Sequence, residues 1–102
     1  MAWRRAASVG DVIADKGLQV EIDGRTLAVF RVGDQVYALE GICPHADAYL
    51  SEGFIDGDKV ECPLHQAQFH IPSGKCLGPP ADRDLVTFPA KIEGSDVLVD
   101  LG

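Results

Sequence analysis

Apolar positions along the chain come in short runs broken by turn dipeptides, with no sustained helical period. Leu18–Ile22 alternates weakly and meets Asp23-Gly24, a pair that tolerates the positive φ of a tight hairpin turn. Residues 26–32 follow, then Gly33-Asp34, then residues 35–39 with β-branched and aromatic side chains. Near the end, residues 85–92 and 96–101 flank Glu93-Gly94-Ser95, which predicts another hairpin. The one helix candidate is 8–14, with Ser8 at the N-cap and Asp11 three residues on. Gly10 and two β-branched residues limit it to a single turn. The pattern predicts an all-β chain of short antiparallel sheets, a sandwich or partly open barrel.

Residues 41–82 break this pattern. They hold all three Cys, all three His and five of the six Pro, and their apolar residues show no sustained period. Such a segment is expected to bury little of its own surface, so another agent should hold it together. The chain is read as one domain, 1–102, in which 1–40 and 83–102 form a β base and 41–82 a loop-rich subdomain. A short hairpin is expected within it, Phe54-Ile55 and Lys59–Glu61 around Asp56-Gly57.

Composition narrows the function. The 102 residues carry 9 basic and 16 acidic side chains, a net charge of -7 with neutral His. The excess lies after residue 31, where four basic groups face twelve acidic ones. Nucleic-acid binding needs Lys and Arg clusters that are absent, so a macromolecular partner should present basic groups. No apolar run approaches the ~18–20 residues of a membrane span. The N-terminal Met-Ala-Trp-Arg-Arg lacks a signal-peptide apolar region, and an odd Cys count argues for a reducing compartment; a cytoplasmic protein is expected.

The scarce residues carry the chemistry. Cys43-Pro44-His45 and Cys62-Pro63-Leu64-His65 each present one thiol and one imidazole on a short turn, with sixteen residues between them. Brought together, the turns supply a Cys₂His₂ set. Tetrahedral zinc accepts such a set, although zinc sites commonly pair like residues locally. A binuclear iron–sulfur centre also fits, with both Cys on one iron and both His on the other.

The C-x-H…C-x₂-H pattern resembles the Rieske [2Fe–2S] motif. Gln68-Phe69, Ser73-Gly74-Lys75 and Gly78-Pro79-Pro80-Ala81 resemble the same family, specifically the small ferredoxins of bacterial aromatic-ring-hydroxylating dioxygenase systems. The resemblance covers essentially the whole chain. It implies one Rieske-type [2Fe–2S] cluster held by Cys43, His45, Cys62 and His65, with the imidazoles at the surface as the electron port. It implies that Pro79 and Pro80 shield the cluster. It implies a one-electron carrier between a NAD(P)H-dependent flavoprotein reductase and a terminal oxygenase, with no catalysis of its own, monomeric when free. The small subunit of an assimilatory nitrite reductase is the alternative, and a zinc-stabilised interaction module a more distant one. A catalytic oxygenase subunit is excluded by counting, since His70 alone is left for a second iron that needs two His and a carboxylate.

Two ferric ions, two sulfides, two thiolates and two neutral imidazoles sum to zero charge, against -2 for an all-Cys cluster. Reduction is correspondingly easier, within about −150 to +300 mV. High-potential family members carry a Ser two residues and a Tyr four residues after the second His, and an extra Cys in each loop. Here these positions are Ala67, Phe69, Ala48 and Leu64, so a potential at the low end is expected. Gln66 stands where the family usually has Gly. Cys76 reads as a small buried hydrophobe, His70 as structural or solvent-facing, and Trp3 as core or an edge anchor.

Overall fold

The computed structural model describes residues 3–44, 48–64, 66–78 and 83–102. Strands β1 (Trp3–Ser8), β9 (Ala90–Glu93) and β10 (Asp96–Asp100) form one antiparallel sheet in the order β1-β10-β9. Strands β2 (Leu18–Ile22), β3 (Arg25–Val32), β4 (Gln35–Glu40) and β8 (Thr87–Phe88) form a second, in the order β2-β3-β4-β8. Strands β5 (Phe54–Asp56), β6 (Lys59–Glu61) and β7 (Gln68–His70) form the third. The architecture is all-β, as expected, and the sheets do not close into a barrel.

The run Leu27-Ala28-Val29-Phe30 explains how the sheets stack. Successive strand side chains point to opposite faces, so a continuous apolar run marks a strand buried on both. Leu27 and Val29 join a core with Val12, Val36, Ala38, Val97 and Val99, between the second sheet and the first. Ala28 and Phe30 join the other core, with Leu39, Leu50, Val60, Phe69 and Ile71. All of these are almost fully buried, each larger side chain contributing about 1.5–3 kcal/mol of transfer free energy. Segment 41–82 therefore has an apolar core after all. It borrows one face of β3 and β4, which its own three-residue strands could not reveal by periodicity.

The expected hairpins are present. Asp23 and Gly24 both take positive φ, 51° and 79°, which matches the twist of a two-residue hairpin loop. The expected strand over 85–92 is interrupted. Pro89 has no N–H to give a ladder, so β8 stays with β4 while β9 crosses to β10, and the Pro89 carbonyl accepts from Asp100 N at 2.9 Å. The helix candidate is a 3-10 turn over Val9–Asp11, and Ser8 makes no side-chain cap. Its hydroxyl instead accepts from Arg5 Nη2 at 2.8 Å. Strand β1 is unforeseen. Trp3 lies half-buried on it beneath the Lys91 ammonium, 4.3 Å from the ring centroid.

Candidate metal centre

Two loops of equal size carry the two cysteines. In the first, Cys43 N donates to the Ala48 carbonyl at 2.9 Å, and an antiparallel bridge between Ile42 and Tyr49 closes the loop outside that bond. In the second, Cys62 N donates to the Ala67 carbonyl at 2.7 Å, closed by the Glu61–Gln68 pair of β6 and β7. Each Cys thus opens a hairpin whose carbonyl partner lies five residues on, and a Pro follows each Cys. The first loop is anchored further by Gly41 N on the Thr26 carbonyl and Leu50 N on the Gly41 carbonyl.

Cys43 and Cys62 are 3% and 0% exposed, belong to the same apolar core and form no disulfide. Two buried thiols in matched loops are a donor set suited to a soft metal centre, where thiolates are the ligands. His45, His65, Pro79 and Pro80 lie outside the described residues, so their expected roles rest on the sequence.

The neighbours of the second loop are placed. Ala67 and Phe69 are fully buried in the same core as Cys62, Ala48 is buried beside Cys43, and Leu64 is surface-exposed. No hydroxyl therefore stands at either position where high-potential relatives carry one. Gln66 is exposed and takes φ 63°, the left-handed conformation that Gly would adopt without strain. Gly74 is fixed by its surroundings: at φ 73°, an added Cβ would lie 2.5 Å from the Leu85 carbonyl oxygen.

Two devices brace the subdomain. His70 Nε2 lies 3.1 Å from an Asp58 carboxylate oxygen and Nδ1 lies 2.7 Å from Ser73 Oγ. The carboxylate only accepts, so Nε2–H donates to it, and in the neutral ring Nδ1 accepts from the Ser73 hydroxyl. Lys75 N donates to Ser73 Oγ at 3.2 Å within the turn after β7, and the Asp58–His70–Ser73 chain ties that turn to the β5–β6 turn. His70 is therefore structural and half-buried. The second device is Glu40, whose carboxylate accepts Arg83 Nη1 and Nη2 at 2.7 and 3.2 Å and Val86 N at 2.8 Å. It straps the chain after residue 82 onto β4. Cys76 is half-buried with its Sγ 3.3 Å from the Gly78 carbonyl oxygen, and its N donates to Asp84 at 2.8 Å. The strap has no local sequence signal, because its partners lie 43 and 46 residues from Glu40.

Known proteins agree with this geometry. Residues 2–89 match the Rieske [2Fe-2S] domain. The chain is 43% identical over 101 residues to the biphenyl 2,3-dioxygenase ferredoxin component of Rhodococcus jostii (strain RHA1), covering 99% of this chain and 94% of that one. Its fold is similar to the Sphingomonas yanoikuyae B1 ferredoxin, with TM-score 0.93, 29% identity, and coverage of 99% and 100%. It is also similar to a chain in the complex of reduced oxygenase and oxidized ferredoxin in carbazole 1,9a-dioxygenase, with TM-score 0.88, 37% identity, and coverage of 95% and 91%. Among the described residues no helix is long and apolar enough to cross a membrane. The chain belongs to the Rieske [2Fe-2S] family.

Proposed function

We propose that this protein is a cytoplasmic one-electron carrier, monomeric when free, that takes electrons from a NAD(P)H-dependent flavoprotein reductase and delivers them to a terminal Rieske non-haem iron oxygenase acting on aromatic compounds. The observation that carries this reading is the near full-length similarity to ferredoxin components of aromatic dioxygenase systems. The matched Cys43 and Cys62 loops support it. In this reading Cys43 and Cys62 hold one iron and His45 and His65 the other. When bound, the cluster supplies one reversible electron at a moderate potential.

The chain's own residues do the rest. The Cys43 N–Ala48 and Cys62 N–Ala67 bonds fix the loops, so electron transfer needs little reorganisation of the protein. Ala48, Ala67 and Phe69 exclude water from the thiol side and offer no hydroxyl there, which keeps the potential at the low end of the Rieske range, where the reduced cluster is the stronger donor to the oxygenase. In the same reading Pro79 and Pro80 shield the cluster from water. Because a shuttle must leave quickly, both encounters should be small and salt-sensitive.

Reconstitution tests the proposal. The purified protein, mixed with the reductase and terminal oxygenase encoded beside it, should be required for NAD(P)H-driven hydroxylation of an aromatic substrate. A system that turns over equally well without it would refute the reading.

A further inference from the structure

The outer face of the β5–β6–β7 sheet is unpacked and ordered. Ile55, Val60, Phe69 and Cys76 pair across the strands on the inner face and pack into the core. The next register positions, Phe54, Glu61, Gln68 and Leu77, therefore form a row on the outer face at the loop end of the sheet. Leu77 extends the row through its N–H to the Gln68 carbonyl at 2.9 Å. Phe54 is 69% exposed, the most exposed large apolar side chain among the described residues, and Leu77 is 44% exposed. Between them Gln68 Nε2 donates to Glu61 Oε1 at 3.0 Å. A cleft of about 170 Å³ opens here, lined by Phe54, Asp56, Lys59, Glu61 and Gln68.

An aromatic face beside two carboxylates, with one ammonium against them, suits a basic side chain. The ring quadrupole attracts a cation and the carboxylates accept its N–H groups. The cleft is continuous with the second loop, because Glu61 immediately precedes Cys62 and Gln68 immediately follows Ala67.

We propose that this cleft receives an Arg or Lys side chain of the terminal oxygenase, with Phe54 as the anchor and Leu77 as the apolar rim. The assignment rests on the carrier reading above. Electrostatics selects the electron acceptor over the donor. The reduced protein carries one more negative charge than the oxidised protein, so a basic partner binds the reduced form more tightly and releases the oxidised form. An acceptor needs that order of affinities. A reductase needs the reverse, since it must release the reduced form.

The test is equilibrium binding of the oxidised and dithionite-reduced ferredoxin to the terminal oxygenase and, separately, to the reductase encoded with it. Phe54→Ser and Glu61→Gln should each weaken oxygenase binding about tenfold, the range of an interface anchor, and change reductase binding less than twofold. Wild type should bind the oxygenase more tightly when reduced. Both substitutions are on the outer face, so the visible spectrum and melting temperature should be retained, and Leu77→Ser gives an independent third variant. Unchanged oxygenase affinity in these variants, or an equal loss toward the reductase, would overturn the assignment while leaving the carrier reading intact. A wild-type protein that binds neither partner would overturn both.

Discussion

Glu40 does the work of two attachments, and its removal has a calculable cost. Its backbone N donates to the Val86 carbonyl at 2.9 Å, while its carboxylate accepts Val86 N at 2.8 Å and the Arg83 guanidinium at 2.7 and 3.2 Å. The Glu40 side chain is 22% exposed and Arg83 51%, so the two contacts differ in weight. A hydrogen bond to a charged acceptor contributes about 1.5–3 kcal/mol, and a half-exposed ion pair about 0.2–1 kcal/mol. Glu40→Ala should therefore cost roughly 2–3 kcal/mol, a fall in Tm of about 10–20 °C for a chain of this size. Glu40→Gln keeps an oxygen for Val86 N and loses the charge, and should cost about 1 kcal/mol. Arg83→Leu removes the half-exposed pair together with the exposed Nη1 bond to the Asp84 carbonyl at 3.0 Å, leaves the Glu40 bond to Val86 N in place, and should cost less than Glu40→Ala. Thermal unfolding followed by far-ultraviolet circular dichroism orders the three variants. A Glu40→Ala protein melting within 2 °C of wild type, or an Arg83→Leu protein as unstable as Glu40→Ala, would refute the strap.

Three further outcomes follow from the same geometry. Gly74→Ala places a Cβ 2.5 Å from the Leu85 carbonyl oxygen at φ 73°, and should destabilise by about 3 kcal/mol, read as a lower urea midpoint. Gln66→Gly relieves a left-handed conformation at φ 63°, offset by glycine's chain entropy, and should stabilise by up to about 1 kcal/mol, read as a higher urea midpoint; a lower midpoint would contradict it. Ala67→Ser and Phe69→Tyr each offer a hydroxyl at a fully buried position in the core that holds Cys62. Each should raise the reduction potential, on the order of 50 mV if the reduced state gains about 1.4 kcal/mol; voltammetry showing no change in either would sink this account of the low potential.

What could be read from the sequence was what short-range chemistry dictates. Asp23-Gly24 fixes a turn by its own dihedral preferences, and the spacing of the two Cys-Pro turns predicts a metal centre. The run 27–30 was visible as apolar, yet its meaning emerged only from the fold: a strand shared between two cores. The same sharing hid the core of segment 41–82, because Val60 and Phe69 sit on strands too short to show alternation and pack against Phe30 and Leu39, far away in the chain. Pro89 was visible as a residue, but its effect, sending β9 to another sheet, depends on where β10 lies. The Glu40 strap and the Asp58–His70 part of the brace join residues whose separation leaves no local trace.

The proposed carrier role requires the two Cys loops, with His45 and His65, to hold a binuclear iron–sulfur cluster. Iron, acid-labile sulfide and zinc content of the purified protein test it most directly. Two iron and two sulfide per chain are expected, in a red-brown protein that gives a rhombic EPR signal on dithionite reduction. A colourless protein holding one zinc and no sulfide would contradict it.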